Sequence, residues 1–134
     1  MPDVLADTGF FVALFNKTDA YHERVVRFLK SKPSVLRTTW PVITEVCFFL
    51  DAAWKTAFLA FIQRGGVTVH DIPLAELPTL ITVFRKYQDR EVDLADASLI
   101  WLAEKTRVAR ILTLDRQDFQ IYRLSKNPRF VLVL

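Results

Sequence analysis

The chain has 134 residues, 51% of them apolar and 25% charged, with three Gly and six Pro, which excludes a disordered, collagen-like or low-complexity protein and an array of small domains. A single domain spanning residues 1–134, long enough to bury a real core, is expected. Eighteen basic against 15 acidic residues give a net charge of +3, a weak pointer to an anionic partner that says nothing of fold.

Val4-Leu5-Ala6 reads as a short apolar strand that stops at Asp7-Thr8-Gly9 and leads into the apolar stretch 10–15, so the expected order is strand, acidic turn, helix. Asp19 is placed to cap a helix over 20–30, with Val25, Val26 and Leu29 on one face and Arg24, Arg27 and Lys30 on the other. Residues 34–38 read as a strand. Pro41 suits the start of a helix in which Val42, Val46, Phe49 and Leu50 recur at helical spacing, with Glu45 in its second turn. A helix over 52–63 ends at Gly65-Gly66, where glycine can take the left-handed cap, and 67–70 is a further strand. Pro73 opens a helix with Leu74, Leu77, Ile81, Phe84 and Tyr87 along one side. The next helix runs from Asp93 to about Thr106 with Leu99, Leu102 and Ala103 inward. Residues 110–114 are a strand, 116–123 a turn or short helix and 130–134 a last strand. Four or five apolar strands separated by helices predict an α/β fold with a parallel sheet covered on both faces.

Acidic residues gather where such a fold presents side chains to a crevice, at the carboxyl ends of its strands. They are Asp7, Asp93 with Asp96, and Asp115 with Asp118, and Glu45 could reach the same place. Carboxylates crowded into one pocket repel each other, and a divalent cation with hard oxygen ligands, Mg²⁺ or Mn²⁺, relieves the repulsion. Metal-assisted attack of water on a phosphodiester is the implied chemistry. Asp93-Leu94-Ala95-Asp96 and Asp115-Arg116-Gln117-Asp118 also read as plain helix starts, where an Asp cap and a second acid are favoured by free N–H groups and the helix dipole. Asp7 resists that reading, because a carboxylate ending an apolar strand is poorly solvated and needs a partner.

The residues 7–14 (Asp7-Thr8-Gly9-Phe10-Phe11-Val12-Ala13-Leu14), Thr44-Glu45-Val46, 93–99 (Asp93-Leu94-Ala95-Asp96-Ala97-Ser98-Leu99) and 112–119 (Leu112-Thr113-Leu114-Asp115-Arg116-Gln117-Asp118-Phe119), taken together, resemble the PIN-domain ribonucleases, and most of all the VapC-type toxins of bacterial toxin–antitoxin pairs. The resemblance covers essentially the whole chain. It implies a three-layer α/β/α fold, a Mg²⁺- or Mn²⁺-dependent endoribonuclease, a homodimer and a small antitoxin that blocks the site. Asp7, Glu45, Asp96 and Asp115 match the family's four site acids, Asp93 and Asp118 match positions that often carry a further acid, and Thr8 and Thr113 match small hydroxyl positions that orient a ligand or water. The products implied are 5′-phosphate and 3′-hydroxyl ends.

Setting aside the six candidate site acids leaves nine of the 15 acidic residues against 18 basic ones, so the remainder is strongly cationic. Arg107, Arg110, Arg116, Arg123, Lys126 and Arg129 are dense enough to form a phosphate-contacting rim, with scattered solubilising charge as the competing reading. Trp40, Trp54 and Trp101 fit core or dimer packing better than stacking on RNA bases. His22 and His70 receive no catalytic role, and Cys47 reads as an inert core thiol.

A single cysteine excludes an internal disulfide and any zinc site needing two thiolates, and it fits a cytoplasmic setting. No apolar run approaches the ~18–20 residues of a membrane span, and Met1-Pro2-Asp3 lacks the basic start of a signal peptide. A mean hydropathy of +0.20 is high for a small monomer and suggests that a partner covers apolar surface. Asp7-Thr8-Gly9 is also the tripeptide of the all-β aspartic proteases, but the helical patterns after Pro41, Pro73 and Asp93 oppose that fold. A dehalogenase-like phosphotransferase would need an Asp-x-Asp pair that is absent at Asp7. The remaining alternative is an RNA- or protein-binding PIN-like module without nuclease activity.

Overall fold

Val4, Leu5 and Ala6 are all buried because their strand, β1 (Asp3–Ala6), lies in the middle of the sheet. The computed structural model describes residues 1–124 and 129–134. Among them, β1 is followed by α1 (Thr8–Phe15), α2 (His22–Ser31), β2 (Val35–Thr39), α3 (Trp40–Phe49), α4 (Ala52–Gln63) and β3 (Thr68–His70). A 3₁₀ turn (Leu74–Glu76), α5 (Leu77–Lys86), α6 (Leu94–Thr106), β4 (Arg110–Leu112), α7 (Arg116–Ile121) and β5 (Val131–Leu132) complete the order. The five strands run in the order β3-β2-β1-β4-β5 and every pairing is parallel, with helices flanking the sheet as the alternating pattern predicts. Chain direction across the sheet reverses at β1, so the crevice beyond the ends of β1 and β4 is the place where an open α/β sheet binds ligands.

Helix α6 is buried around its whole circumference from Ala97 to Ala103, beyond the one face that the periodicity selects. Small residues at Ala95, Ala97 and Ser98 let it approach β2 closely. The buried Ser98 hydroxyl bonds Ala95 O (2.7 Å) and Thr39 Oγ1 (2.6 Å), while Thr38 Oγ1 donates to Ala6 O at 2.9 Å. These hydroxyl contacts tie β1, β2 and α6 together and leave no buried hydroxyl among them unsatisfied. On the other side Phe58 of α4 packs between Phe11 and Phe15, each with ring centroids 5.3 Å away. Helix α4 ends as its glycines predict. Gly65 takes a left-handed φ of 87°, and the Gly65 and Gly66 N–H groups donate to Ile62 O and Phe61 O, both at 2.9 Å.

Three expectations are corrected. Helix α2 begins at His22, and Asp19 does not cap it. The Asp19 carboxylate instead closes a turn by accepting from Tyr21 N–H at 2.8 Å. The segment after Pro73 is not one helix, because Pro78 has no N–H for the Leu74 carbonyl and its ring would crowd it. The resulting 3₁₀ turn shifts the helical phase, so Leu80, Val83 and Tyr87 are buried while Leu74, Leu77 and Ile81 are exposed. In α3 the inward set is Val42, Ile43, Val46 and the cap Leu50, whereas Phe49 and Phe48 face outward.

The Phe58 contacts set a measurable scale. Phe58→Ala is expected to cost about 3–5 kcal/mol in urea unfolding, since the ring is fully buried, whereas Phe48→Ala, at an 83% exposed position, should change stability by less than about 0.5 kcal/mol.

Candidate functional site

Asp7 leaves β1 with extended backbone and caps α1, its Oδ1 accepting from Phe10 N–H at 3.0 Å. Its Oδ2 accepts from the Thr113 hydroxyl, and Thr113 Oγ1 in turn accepts from Asp115 N–H at 2.9 Å. Only 5% of Asp7 is exposed, and burial pushes its carboxyl from 3.8 up to about 6 against the opposing pull of these two hydrogen bonds, with Asp115 and Glu45 raising it further. The partner that a poorly solvated carboxylate requires is therefore partly supplied by the end of β4.

Asp93 caps α6, its Oδ1 accepting from Asp96 N–H at 2.8 Å, which leaves the Asp96 side chain free to face the crevice from the first turn. Asp96 Oδ2 accepts from the Tyr122 hydroxyl at 2.8 Å. Burial, then the neighbouring charge of Asp93, push the Asp96 carboxyl from 3.8 up to about 7, with Asp7 and Asp115 adding to the rise. Asp115 caps α7 by accepting from Asp118 N–H at 3.3 Å, and burial together with Asp118 and Asp93 raises its carboxyl. Asp118 lies 3.5 Å from Arg90 Nη2 in an exposed ion pair.

Glu45 projects from α3, half-buried, and is raised chiefly by burial and then by Asp93, while the Thr8 hydroxyl lowers it. Thr8 Oγ1 is nevertheless buried without a hydrogen bond of normal geometry. Among the described residues, Asp7, Thr8, Glu45, Asp93, Asp96, Asp115 and Asp118 all line one cleft of about 420 Å³, and Asp19, which the sequence offers only as a helix cap, and Glu91, which it does not single out, join them. The tightest grouping is Asp96, Asp115 and Asp118, whose ligand atoms lie within 4.8 Å of one another. No lysine or arginine is among the cleft's described lining residues. Eight carboxylates facing a shared space, with raised values on Asp7, Glu45, Asp96 and Asp115 and one orphaned hydroxyl, form a donor set suited to a hard divalent cation.

The cationic rim is not where the sequence suggests. Arg107 ends α6 in a left-handed conformation, and Arg110 starts β4, so both lie at the opposite end of their elements from the cleft. The 13 residues of α6 alone separate its two ends by about 20 Å. Arg123 is occupied locally, its Nη1 donating to Gln120 O, Ile121 O and Tyr122 O at 2.6, 2.8 and 3.1 Å. Arg116 begins α7 beside Asp115 and donates to Leu134 O at 3.0 Å; Arg129 is exposed; Lys126 lies outside the described residues. His22 Nδ1 bonds Ala13 O (2.8 Å) and His70 Nε2 meets Arg37 (3.1 Å), both outside the cleft.

Trp101 is core and Trp54 half-buried, but Trp40 is 50% exposed. With Phe48, Phe49 and Leu94 it lines a second hollow of about 670 Å³ that shares Glu45 and Phe49 with the acidic cleft. Cys47 is half-buried against the core, and burial raises its thiol. Tyr122 escapes sequence reading, although its position two helical turns beyond the Asp115 cap is the signal that places it beside the acids.

The raised carboxyls make a prediction for the metal-free protein. Asp7 and Asp96 bind protons more tightly folded, at about 6 and about 7, than at the ordinary 3.8, so their contribution is most favourable below 3.8 and is lost as pH rises through the folded values. In EDTA the melting midpoint should fall as pH rises from about 5 to about 8, and Asp96→Asn should flatten that fall. Calorimetry across the window decides, a midpoint that climbs with pH being the contrary result.

No protein-family model matches the chain. Ribonuclease VapC26 of Mycobacterium tuberculosis is 27% identical over 136 aligned residues, which span 97% of this chain and 99% of that protein. Among solved structures, that of Mycobacterium tuberculosis VapC20, described as a sarcin-ricin loop cleaving toxin, matches with a TM-score of 0.76 over 86% of this chain and 92% of its own, and at 22% identity this likeness concerns the fold. In sequence along nearly its whole length, and in a parallel five-stranded sheet flanked by helices, the chain is similar to the VapC-type proteins of the PIN-domain class.

Proposed function

We propose that this chain is a metal-dependent endoribonuclease, a single PIN-like domain acting as the toxin of a type II toxin–antitoxin pair. The observation that carries the reading is the convergence of carboxylates from separate elements, the end of β1, α3, the start of α6 and the start of α7, on one cleft at the carboxyl edge of the sheet. Similarity to a VapC ribonuclease over nearly the full length supports it.

Asp7, Asp96 and Asp115 would hold a divalent cation, Mg²⁺ or Mn²⁺, with Glu45 binding it directly or through water and Asp93 and Asp118 as accessory groups. When bound, such an ion lowers the pKa of a water molecule and offsets charge developing on a phosphodiester. The chain's part is to hold the carboxylates still. Phe10 N–H and Thr113 Oγ1 fix Asp7, the Asp93 cap frees Asp96 to point inward, and the Asp118 N–H orients Asp115. In the cation-free state the Asp96 carboxyl, raised to about 7, holds a proton below neutrality, so cation and proton compete for it. RNA would be cut to 5′-phosphate and 3′-hydroxyl ends, with exposed cations such as Arg116 and Arg129 contacting phosphates. A cognate antitoxin and a second copy of the chain are the proposed protein partners, in the cytoplasm. The exposed aromatic face of α3 supports the need for such a cover. No helix of the described residues is long and apolar enough to cross a membrane.

Labelled RNA incubated with Mg²⁺ or Mn²⁺ tests the reading. Cleavage should stop in EDTA and fall by more than about 100-fold in Asp96→Asn, because even the outer partners of metal ligands are worth 10–100-fold. Cleavage that survives both treatments would sink the metal-site reading, and binding without cleavage would favour the RNA-binding module. Expression without an antitoxin should arrest growth, and Asp7→Asn should lift the arrest.

A further inference from the structure

Tyr122 takes no part in the chemistry above, yet it makes one direct contact with it. Its ring is 1% exposed, wedged edge-on against Tyr87 and Phe119 with both centroids at 5.2 Å. Its backbone is pinned as well. Tyr122 N–H donates to Asp118 O at 3.1 Å, the Arg123 guanidinium donates to Tyr122 O, and Arg123 N–H donates to the Tyr87 hydroxyl at 2.7 Å. The phenol therefore has little freedom, and its O–H points at one atom, Asp96 Oδ2, 2.8 Å away.

We infer that Tyr122 is a positioning residue for the metal centre, its hydroxyl clamping one oxygen of Asp96 so that the other is presented to the cation. The inference rests on the metal-dependent reading of the site. A carboxylate offers about four acceptor positions on two oxygens, and an unrestrained Asp in the first turn of a helix rotates among them. A neutral donor suits this task better than lysine or arginine, because it fixes the carboxylate without cancelling the negative charge that attracts the ion. A phenol, whose ordinary pKa is near 10, keeps its proton at neutral pH and so can donate. Because Asp115 caps the same helix that Tyr122 ends, α7 fastens acids of two elements, its own Asp115 and Asp118 and the Asp96 of α6.

The competing account is that Asp96 merely satisfies a buried phenol. Titration of the metal-free protein with Mn²⁺, followed by calorimetry, separates the two. Tyr122→Phe keeps every ring contact and removes only the donor, and at a temperature where the metal-free protein is fully folded it should weaken Mn²⁺ binding by about 10–100-fold, the melting midpoint falling only as far as the loss of one buried hydrogen bond lowers it. Tyr21→Phe, which removes an exposed hydroxyl outside the cleft, should bind Mn²⁺ as the parent does. Parental affinity in Tyr122→Phe, or an equal loss in Tyr21→Phe, would each overturn the positioning role and leave the metal site standing. A parent chain that fails to bind Mn²⁺ would remove the metal reading itself, and the inference with it.

Discussion

A carboxylate at the end of the central strand is costly to charge, because burial strips its water and each neighbouring acid adds repulsion. Asp7 occupies that position, and the surrounding structure is arranged around it. Its N-terminal neighbours must be apolar for β1 to lie in mid-sheet, so donors have to come from elsewhere. They come from the first turn of α1 and from the Thr113 hydroxyl at the end of the adjacent strand β4. Thr113 then hands its own acceptor to Asp115 N–H, so one hydroxyl couples two of the acids through the pairing of β1 with β4.

The opposition between helix cap and functional carboxylate disappears on inspection of the geometry. Asp7, Asp93 and Asp115 each cap a helix with one oxygen, and each faces the cleft. Three helix N-termini thus converge on the crowded acids. Each terminus favours nearby negative charge by about 0.3–1 kcal/mol, more when partly buried, so capping lowers the repulsion it takes part in. The raised values on Asp7, Asp96 and Asp115 show that this compensation is incomplete. The remaining imbalance is what a hard divalent cation would relieve.

Much of this was legible in the sequence because it depends on local spacing. A strand ending in Asp7, caps at Asp93 and Asp115 with a second acid three residues on, and Gly65-Gly66 closing α4 are written in a few consecutive residues each. What escaped depends on distance or on phase. Pro78 broke a helix whose apolar spacing looked continuous, and the short 3₁₀ turn moved the buried face from Ile81 to Leu80 and Val83. Arg107 and Arg110 looked near Asp115 along the chain, but strand direction puts them at the far edge of the sheet. Asp19 and Glu91 reach the cleft from the segments before α2 and after α5, and Tyr122 meets Asp96 from the end of α7, meetings that no short pattern encodes.

The sheet order has a mechanical meaning for the cleft. Asp7 follows β1 and Glu45 and Asp96 stand on α3 and α6, elements at the centre of the packing, whereas Asp115 caps and Asp118 stands on a six-residue helix beside β5, a two-residue edge strand. Local opening is easiest at such edges, where few buried contacts and few ladder hydrogen bonds must be given up. One wall of the cleft therefore rests on the centre of the sheet and the other on its margin, held there by Phe119 and Tyr122 packing against Phe130 and Tyr87. An ion held by Asp96 together with Asp118, whose ligand atoms lie within 4.8 Å of each other, would therefore bridge the centre of the sheet to its margin.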